Sequence, residues 1–356
     1  MKSILKISVI SIIFSLILSG CSIQFSGGGS NTSNANDGGI YKSINKGNNW
    51  QQKTSIPTVS GRPSNFGAFD SYALAIDPSD RKALYLGTIG EGLLYSYDGA
   101  ESWQRINALG RATIRSVGID SSYKCTIYAA IDNKIDKTID CGRTWNQVYF
   151  DNDPSVKINS IAIDLKNSEN IFIGTSRGEI IKSSDRGESW QTVNRFNSKV
   201  LKVLISPHDS KILFAATENK SLHFSSNAGD SWQSLDENLK DFKDSVNFKD
   251  LVFSYQPGKI FLASKYGLLK SVDNGKSWTN IDLITPTDKA TINSLALNPK
   301  NDDEIYYVTN TTFYRTQDGG KNWTTKKLPS SRVGWNLLID PVETSIIYLT
   351  VRNMQK

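Results

Sequence analysis

Residues that could carry out acid–base or metal chemistry are few in this chain of 356 residues. The two histidines are His208 and His223, and a Ser-His-Asp triad or a histidine-bound metal would need partner side chains that converge on one of them. No motif in the sequence supplies those partners. Since His208 falls in a polar turn and His223 in a predicted strand, we assign both to structural or surface roles. We expect no catalytic residue, no metal and no cofactor.

Cysteines offer a second kind of chemistry. Cys125 starts a predicted second strand of a repeat and Cys141 follows the third strand, with the intervening turn at residues 132–134. Opposed residues on antiparallel strands lie about 4.5–5.5 Å apart at Cα, which is within disulfide range. We therefore predict a Cys125–Cys141 disulfide. Two free thiols with unrelated roles are the alternative.

The third cysteine, Cys21, ends a segment with the features of an export signal. Lys2 and Lys6 flank the start of an apolar run at 7–17, which is too short to span a bilayer comfortably. Residues 18–21 read Leu-Ser-Gly-Cys, and this resembles the lipobox of bacterial lipoproteins. The resemblance implies that the thiol of Cys21 is diacylglycerylated and that Cys21 becomes the first residue. An ordinary signal peptide that happens to end near a cysteine is the alternative.

The same resemblance divides the chain. Residues 1–20 are the expected signal peptide, and 21–37 form a flexible tether because they are rich in Ser, Gly and Asn and lack periodic apolar residues. The protein is then lipid-anchored on the extracytoplasmic side of the cell envelope. Ser22 is not the Asp that retains lipoproteins in many inner membranes, so the outer membrane is expected in a Gram-negative cell.

Residues 38–356 contain a motif that recurs seven times, Ser/Thr-x-Asp/Asn-x-Gly-x-x-Trp. Seven of the eight tryptophans belong to it, at spacings of 42 to 53 residues. The copies are Ser43-Asn45-Gly47-Trp50, Ser96-Asp98-Ala100-Trp103, Thr138-Asp140-Gly142-Trp145, Ser183-Asp185-Gly187-Trp190, Ser225-Asn227-Gly229-Trp232, Ser271-Asp273-Gly275-Trp278 and Thr316-Asp318-Gly320-Trp323.

Four short strands accompany each copy of the motif. In one repeat they are predicted at 158–164, 171–175, 178–183 and 190–193, with turn residues between them. A four-stranded unit at this spacing is typical of one blade of a β-propeller, whereas helical repeats would show a helical period. The sequence therefore predicts an all-β protein made of four-stranded antiparallel blades.

The two ends of the body supply one shared blade. Strands at 39–43 and 50–52 correspond to the last two strands of a blade, and those at 335–340 and 346–350 to the first two. Six complete blades and this shared one make a seven-bladed propeller whose ring is closed by strands from both termini. Such closure removes the open sheet edges on which other chains could pair.

The residue types of the motif are those that a tight turn requires. The Asp or Asn oxygen accepts backbone N–H groups, Gly adopts positive φ, and Trp fills the space between blades. Ala100 replaces Gly in the second copy, which predicts either another turn geometry or strain. Because Asn45 and Asn227 replace Asp, these positions suit an acceptor and not a catalytic acid or a metal ligand.

The motif resembles the Asp-box, or bacterial neuraminidase repeat, over nearly the whole body of the chain. Sialidases share it, but their Arg-Ile-Pro signature is missing here. Xyloglucanases use two such propellers with catalytic carboxylates facing each other, and this chain has the length of one. Sortilin-type ectodomains and photosystem II assembly-factor propellers share it without doing chemistry. The assembly factors also carry an Arg-rich face, which the scattered arginines here do not obviously reproduce.

These resemblances imply a membrane-anchored, monomeric binding or assembly module with a protein or peptide partner and no enzymatic activity. A sialidase- or xyloglucanase-type glycoside hydrolase and a non-hydrolytic carbohydrate-binding propeller are the alternatives. A nucleic-acid partner is not expected, because the formal charge of +6 is spread among acidic residues.

Two inter-blade loops, 54–70 and 236–247, are longer than the others. Their aromatic and arginine side chains, with arginines of the next junction, are of the types that anchor interfaces. The alternative is that the aromatics pack within the loops. The candidate partner-binding residues are Arg62, Phe66, Phe69, Arg111, Arg115 and Phe242.

Overall fold

Short β-branched and aromatic runs separated by Gly, Asn, Asp and Ser turns form strands throughout the part of the chain described by the computed structural model. That part is residues 36–218, 220–286, 289 and 291–354. The expected signal peptide, Cys21 and all of the tether except Asn36 and Asp37 lie outside it. Within the described residues no helix is long and apolar enough to cross a membrane.

The strands of the described residues, in chain order, are β1 (Gly39–Ser43), β2 (Gln51–Gln52), β3 (Ser55–Ile56), β4 (Ser64–Asn65), β5 (Ser71–Asp77), β6 (Asp80–Thr88), β7 (Leu93–Ser96), β8 (Gln104–Arg105), β9 (Ile114–Ile119), β10 (Ile127–Ile131), β11 (Lys134–Thr138), β12 (Asn146–Phe150), β13 (Ile158–Ile163), β14 (Ile171–Thr175), β15 (Glu179–Ser183), β16 (Gln191–Arg195), β17 (Val200–Ile205), β18 (Leu213–Thr217), β19 (Lys220–Ser225), β20 (Gln233–Ser234), β21 (Phe248–Phe253), β22 (Ile260–Ser264), β23 (Leu268–Ser271), β24 (Thr279–Ile281), β25 (Ser294–Asn298), β26 (Asn301–Val308), β27 (Thr312–Thr316), β28 (Trp323–Lys327), β29 (Val333–Ile339) and β30 (Ile347–Arg352). Two short helices are the 3₁₀ turn Asn107–Leu109 and α1 (Asp236–Leu239).

These strands form seven four-stranded antiparallel sheets, which confirms the predicted seven-bladed propeller. Blades 1 to 6 are β5–β8, β9–β12, β13–β16, β17–β20, β21–β24 and β25–β28. Blade 7, the closing blade, has the order β2-β1-β30-β29, with β1 running antiparallel to β30 from the pair Gly39–Val351 to the pair Ser43–Ile347. Both termini therefore share one sheet, as the sequence predicted. The insertion between blades 7 and 1 carries the small hairpin β3–β4.

Each motif tryptophan packs at the junction with the preceding blade, as predicted. Trp190 of blade 3 lies against apolar residues of blade 2 and donates from Nε1 to the carbonyl of Val148, at 2.9 Å. Trp50 of the closing blade meets Phe313 of blade 6 edge-to-face, with ring centroids 5.3 Å apart. The hydrophobic core is thus a circle of inter-blade clusters and not one central mass.

Cys125 and Cys141 form a disulfide, with Cα atoms 4.0 Å apart. Their location differs from the prediction, because β10 begins only at Ile127 and Cys125 lies in the loop before it. Cys141 lies in the turn of its motif copy, and both cysteines have positive φ, 73° and 60°. The bridge therefore connects two loops beyond the strand ends instead of two opposed strand residues.

Candidate binding site at the mouth of the central channel

The seven motif turns are built by side-chain hydrogen bonds, and the copy in blade 3 shows the pattern. The hydroxyl of Ser183 donates to Asp185 Oδ1 (2.8 Å) and accepts from the N–H of Gly187 (2.7 Å). Asp185 Oδ1 also accepts from the N–H of Ser189, at 2.9 Å. In another copy Asn227 Oδ1 accepts the equivalent N–H, from Ser231, at 3.0 Å. The turn therefore needs an oxygen that accepts a hydrogen bond at this position, and it does not need a negative charge.

Ala100 adopts the same geometry as the glycines of the other copies. Its N–H donates to Ser96 Oγ at 2.9 Å, and its φ is +71°, within the left-handed region. Of the two alternatives left by the sequence, strain is therefore the one found. The preceding residue is left-handed in every copy as well, and here it is Gly99 (φ +73°).

The turn carboxylates are held ionised by their hydrogen bonds. Bonds from the side chain and backbone of Thr144 lower the pKa of Asp140 to about 2, and those from Ser189 do the same for Asp185. Bonds from the backbone and side chain of Asn322 lower the pKa of Asp318 to about 2. A carboxylic acid with so low a pKa cannot serve as a general acid near neutral pH.

The first strands of all seven blades surround a central channel of about 1100 Å³. Its volume is at the upper end of the range of ligand pockets. The wall is apolar along most of its length and polar at the end where the first strands begin. We call that end the channel mouth and define it by Tyr72, Arg115, Lys249, Trp335 and Arg352.

Just inside the mouth, a belt of polar side chains links neighbouring blades. Hydroxyl oxygens of one blade accept backbone N–H groups from the first strand of the next, as between Ser160 and Val203 (3.0 Å) or Ser294 and Leu337 (3.1 Å). The belt residues are Ser116, Ser160, Lys202, Asp250, Ser294 and Asn336.

Asp250 makes the largest number of contacts in the belt and connects three blades. Its carboxylate accepts from Lys202 Nζ of blade 4 at 2.7 Å, and from the N–H of Leu295 (2.9 Å) and the hydroxyl of Ser294 (3.1 Å) of blade 6. Both oxygens are therefore occupied by partners within the fold.

The mouth itself combines aromatic rings with arginines. The guanidinium of Arg352 stacks 3.0 Å from the ring centroid of Trp335 and lies 6.0 Å from that of Tyr72. Arg115 approaches the same tyrosine, 5.3 Å from its centroid, and Arg115 Nη1 donates to the hydroxyl of Tyr72 at 3.0 Å. Trp335 Nε1 donates to the carbonyl of Tyr72 at 2.8 Å, which fixes the two rings relative to each other.

The structure brings only one of the predicted partner-binding residues, Arg115, into the channel wall. Arg62 is exposed on the hairpin connection, and Arg111 is exposed beside Glu91, at 3.5 Å. Both lie among the loops outside the channel wall.

The three predicted aromatics pack within their loops. Phe66 is fully buried against Trp103, so its prediction as a partner-binding residue is wrong. Phe69 is half-buried beside Phe66, and Phe242 is half-buried against Tyr266. The alternative of self-packed loops holds for these side chains.

One histidine contacts a backbone carbonyl and the other an aromatic ring. His208 Nε2 lies 3.1 Å from the carbonyl of Ser254, within the turn that the sequence predicted. His223 stacks on Phe196 with ring centroids 4.1 Å apart, and burial lowers its pKa.

Sequence reasoning missed Tyr72, Trp335 and Arg352 as a cluster. The available signal was Trp335, the single tryptophan outside the repeated motif. Arg352 could not be placed next to it without knowing the register of β29 on β30.

Fold and turns together define an Asp-box seven-bladed β-propeller. A family model described as photosynthesis system II assembly factor YCF48 matches residues 195–331. A second similarity is to the xyloglucanase Xgh74A of Acetivibrio thermocellus, which is 31% identical over 162 residues. That match covers 44% of this chain and 16% of the xyloglucanase, so this chain corresponds to a small part of that protein.

Solved structures show the same fold. YCF48 bound to D1 peptide superposes with a TM-score of 0.61 at 17% identity, covering 83% of this chain and 95% of that one. The GH74 xyloglucanase of Xanthomonas campestris superposes with a TM-score of 0.65 at 16% identity, covering 86% of this chain and 54% of that one. YCF48 from Cyanidioschyzon merolae superposes with a TM-score of 0.61 at 13% identity, covering 80% of this chain and 95% of that one. At these identities the likeness concerns the fold.

Proposed function

We propose that this protein is a membrane-anchored extracytoplasmic binding module that receives a protein or peptide partner at the channel mouth and does not catalyse a reaction. The observation that carries the proposal is the mouth itself, where Arg115, Lys249 and Arg352 stand with two aromatic rings at the opening of a wide channel. Arginine and aromatic side chains are the types that dominate binding interfaces. The match to the YCF48 model and the likeness to YCF48 bound to D1 peptide support a peptide or protein as the partner.

A glycoside hydrolase is the second candidate, because of the sequence similarity to a xyloglucanase. Such enzymes need two carboxyl groups on either side of the scissile bond. Among the described residues that line the channel, Asp250 is the one carboxylate, and its oxygens are bound by Lys202 and by groups of blade 6. This arrangement favours binding over hydrolysis.

The expected tether and the channel mouth lie at the same end of the propeller. Asp37, the last residue of the expected tether, accepts from the N–H of Ser331 at 2.7 Å, close to the start of the first strand of the closing blade. The chain preceding Asp37 therefore joins the propeller at the end that carries the mouth. If Cys21 is lipidated as its sequence context implies, the tether holds the propeller near the membrane, where a partner at the membrane surface can reach the mouth.

Site-specific photocrosslinking in intact cells tests the proposal. A photoreactive residue at Lys249, in the mouth, should give a discrete crosslinked product. The same residue at Glu188, an exposed position in the motif turn of blade 3, should not. Failure to obtain a product at Lys249, or the same product from both positions, would contradict binding at the mouth.

Two further measurements complete the test. Purified protein incubated with xyloglucan and with sialylated glycans should release no reducing ends or sialic acid, and release would establish the hydrolase instead. Cys21→Ser should move the protein from the membrane fraction to the soluble fraction, and retention in the membrane fraction would argue against the lipid anchor.

A further inference from the structure

We infer that the channel mouth recognises an extended acidic peptide segment whose carboxylates are bound by Arg115, Arg352 and Lys249 and whose apolar side chains enter the channel. This inference rests on the proposed function and specifies the chemistry of the partner. It follows from the positive charge of the mouth, from the distribution of that charge over three blades, and from the aliphatic wall of the channel below the mouth.

Arg115 carries a positive charge for which the described residues supply no carboxylate. Its contacts with described residues are neutral: the guanidinium donates a hydrogen bond of 3.0 Å to the hydroxyl of Tyr72 and lies 5.3 Å from the centroid of the same ring. The buried Nε of Arg115 has no hydrogen-bond acceptor among the described residues. A buried donor without an acceptor leaves the charge of the guanidinium uncompensated within the fold, and a carboxylate at the accessible part of the group would neutralise that charge.

Arg352 repeats this arrangement on the closing blade. Its guanidinium carbon lies 3.0 Å from the ring centroid of Trp335, and its buried Nε likewise has no acceptor within the described part of the chain. Burial lowers the pKa of Arg352, whereas the charges of Tyr72 and Asp70 act in the opposite direction. Stacking holds the guanidinium in place while leaving its edge for a bidentate carboxylate.

Lys249 adds a third cation from blade 5, and it is exposed and makes no ion pair with a described residue. The remaining lysines of the channel lining are engaged, Lys202 with Asp250 at 2.7 Å and Lys199 with Glu218 at 3.4 Å. Since these three cations, none of which forms an ion pair with a described residue, belong to blades 2, 5 and 7, a ligand that meets all of them must extend across the mouth. That requirement favours a chain with several carboxylates over a single small anion.

The surroundings favour a peptide over a nucleic acid. Arginines already lie against the rings of Tyr72 and Trp335, and this reduces the ring surface on which a base could stack. Below the belt the wall is aliphatic, with partly exposed residues such as Leu74, Leu204 and Val252. Apolar side chains that alternate with acidic ones in an extended segment would fit that wall while the carboxylates remain at the mouth.

Fluorescence anisotropy with the full-length protein tests the inference. The probe is a fluorescein-labelled peptide of alternating Glu and Leu, and its control has Gln in place of Glu. We expect the Glu peptide to bind roughly tenfold more tightly, and its affinity to fall as salt is raised, because the interaction is ionic and partly exposed to solvent.

Matched variants locate the binding. Lys249→Gln, at an exposed position that cannot impair folding seriously, and Arg115→Gln should each weaken the Glu peptide about tenfold, the loss of one charge-assisted contact. Arg115→Lys keeps the charge but loses the planar fork, so an intermediate affinity is expected. The control is Lys321→Gln, at an exposed position in the motif turn of blade 6 and outside the channel wall, which should leave the affinity unchanged.

Three outcomes would overturn the inference. They are equal affinity for the Glu and Gln peptides, an unchanged affinity in Lys249→Gln, and full displacement of the peptide by inorganic phosphate or by anionic phospholipid vesicles at equal charge concentration. If crosslinking at Lys249 still captures a partner, the binding module stands and only its acidic preference fails. If crosslinking fails as well, both proposals fall.

Discussion

At the scale of single residues, the motif turn shows why an Asp that recurs seven times need not be a chemical group. In the turn of Ser183, Asp185 and Gly187, the hydroxyl and both carboxylate oxygens have local partners, and Asn227 accepts the equivalent N–H in its copy. What the turn demands is two successive left-handed residues, of which the second is normally Gly.

Replacing that glycine should lower the free energy of unfolding by different amounts in two copies of the motif. Gly187→Ala places a Cβ at ordinary contact distance, 3.4 Å from Trp190 and Tyr128, so only the left-handed penalty of about 1 kcal/mol is expected. Gly47→Ala drives the Cβ into the ring of Phe313 and should lower the free energy of unfolding further. Urea unfolding of both variants checks the order, and equal losses would argue against the packing of Gly47 on blade 6.

Acid stability should depend on the turn carboxylates. Their pKa is about 2 in the folded protein, below the usual value of about 4. Their stabilisation is therefore complete above pH 4 and is lost as the pH falls towards 2. Asp185→Asn, which mimics the native Asn227 copy, should lose less stability over that window than the wild type. Urea unfolding midpoints at several pH values measure this, and identical pH profiles would contradict it.

Residue types alone misplaced Phe66 as well as Cys125. As an aromatic residue in a long loop, Phe66 has the features of a binding residue, but the loop folds back as the hairpin β3–β4 and buries it against Trp103. The same sequence signal, an aromatic in a loop, thus describes a core residue and a binding residue equally well. Only the path of the backbone separates them.

At the scale of elements, strand number, order and approximate bounds were predictable because each blade repeats the same alternation of apolar runs and turns. The belt around the channel was not, because Ser160, Asp250 and Ser294 acquire their partners only when neighbouring first strands are set side by side. The local sequence pattern predicts the strands of one blade. The contacts of the first strand with the next blade depend on how neighbouring blades are arranged around the channel.

The belt yields a prediction about Asp250. Asp250→Ala removes the acceptor for Lys202 and for two donors of blade 6, so we expect a loss of about 2–3 kcal/mol in the free energy of unfolding. Ser160→Ala removes one hydroxyl between two blades and should cost about 1 kcal/mol. Calorimetry of the two variants compares them, and a smaller loss for Asp250→Ala would show that the belt is not the connection we describe.

At the scale of the whole molecule, the ring depends on contacts between the two ends of the chain. Arg332 is 4% exposed and donates to Asp70 at 2.9 Å, while its Nε lies 3.5 Å from Asp37. Asn353 donates its N–H to Asp70 at 2.7 Å. The first and last described segments are thus joined through one arginine and one aspartate beside the closing blade.

Removing that arginine should weaken closure. Arg332→Ala leaves Asp37 and Asp70 without their buried cation, and we expect a loss of about 3 kcal/mol in the free energy of unfolding. Arg62→Ala, at an exposed position of the neighbouring hairpin, should change it by less than about 0.5 kcal/mol. Thermal unfolding of both variants provides the comparison, and similar melting temperatures would refute the role of Arg332.

The shared sheet also imposes an order on biosynthesis. β1 and β2 are made before the other strands of the propeller, yet β1 pairs with β30, which follows all of them in the sequence. Six blades can assemble as they emerge, whereas the closing blade must wait until β29 and β30 have been made. A nascent chain stalled just before β30 should therefore remain protease-sensitive in the segment of β1 and β2, and release of the full-length product should protect it.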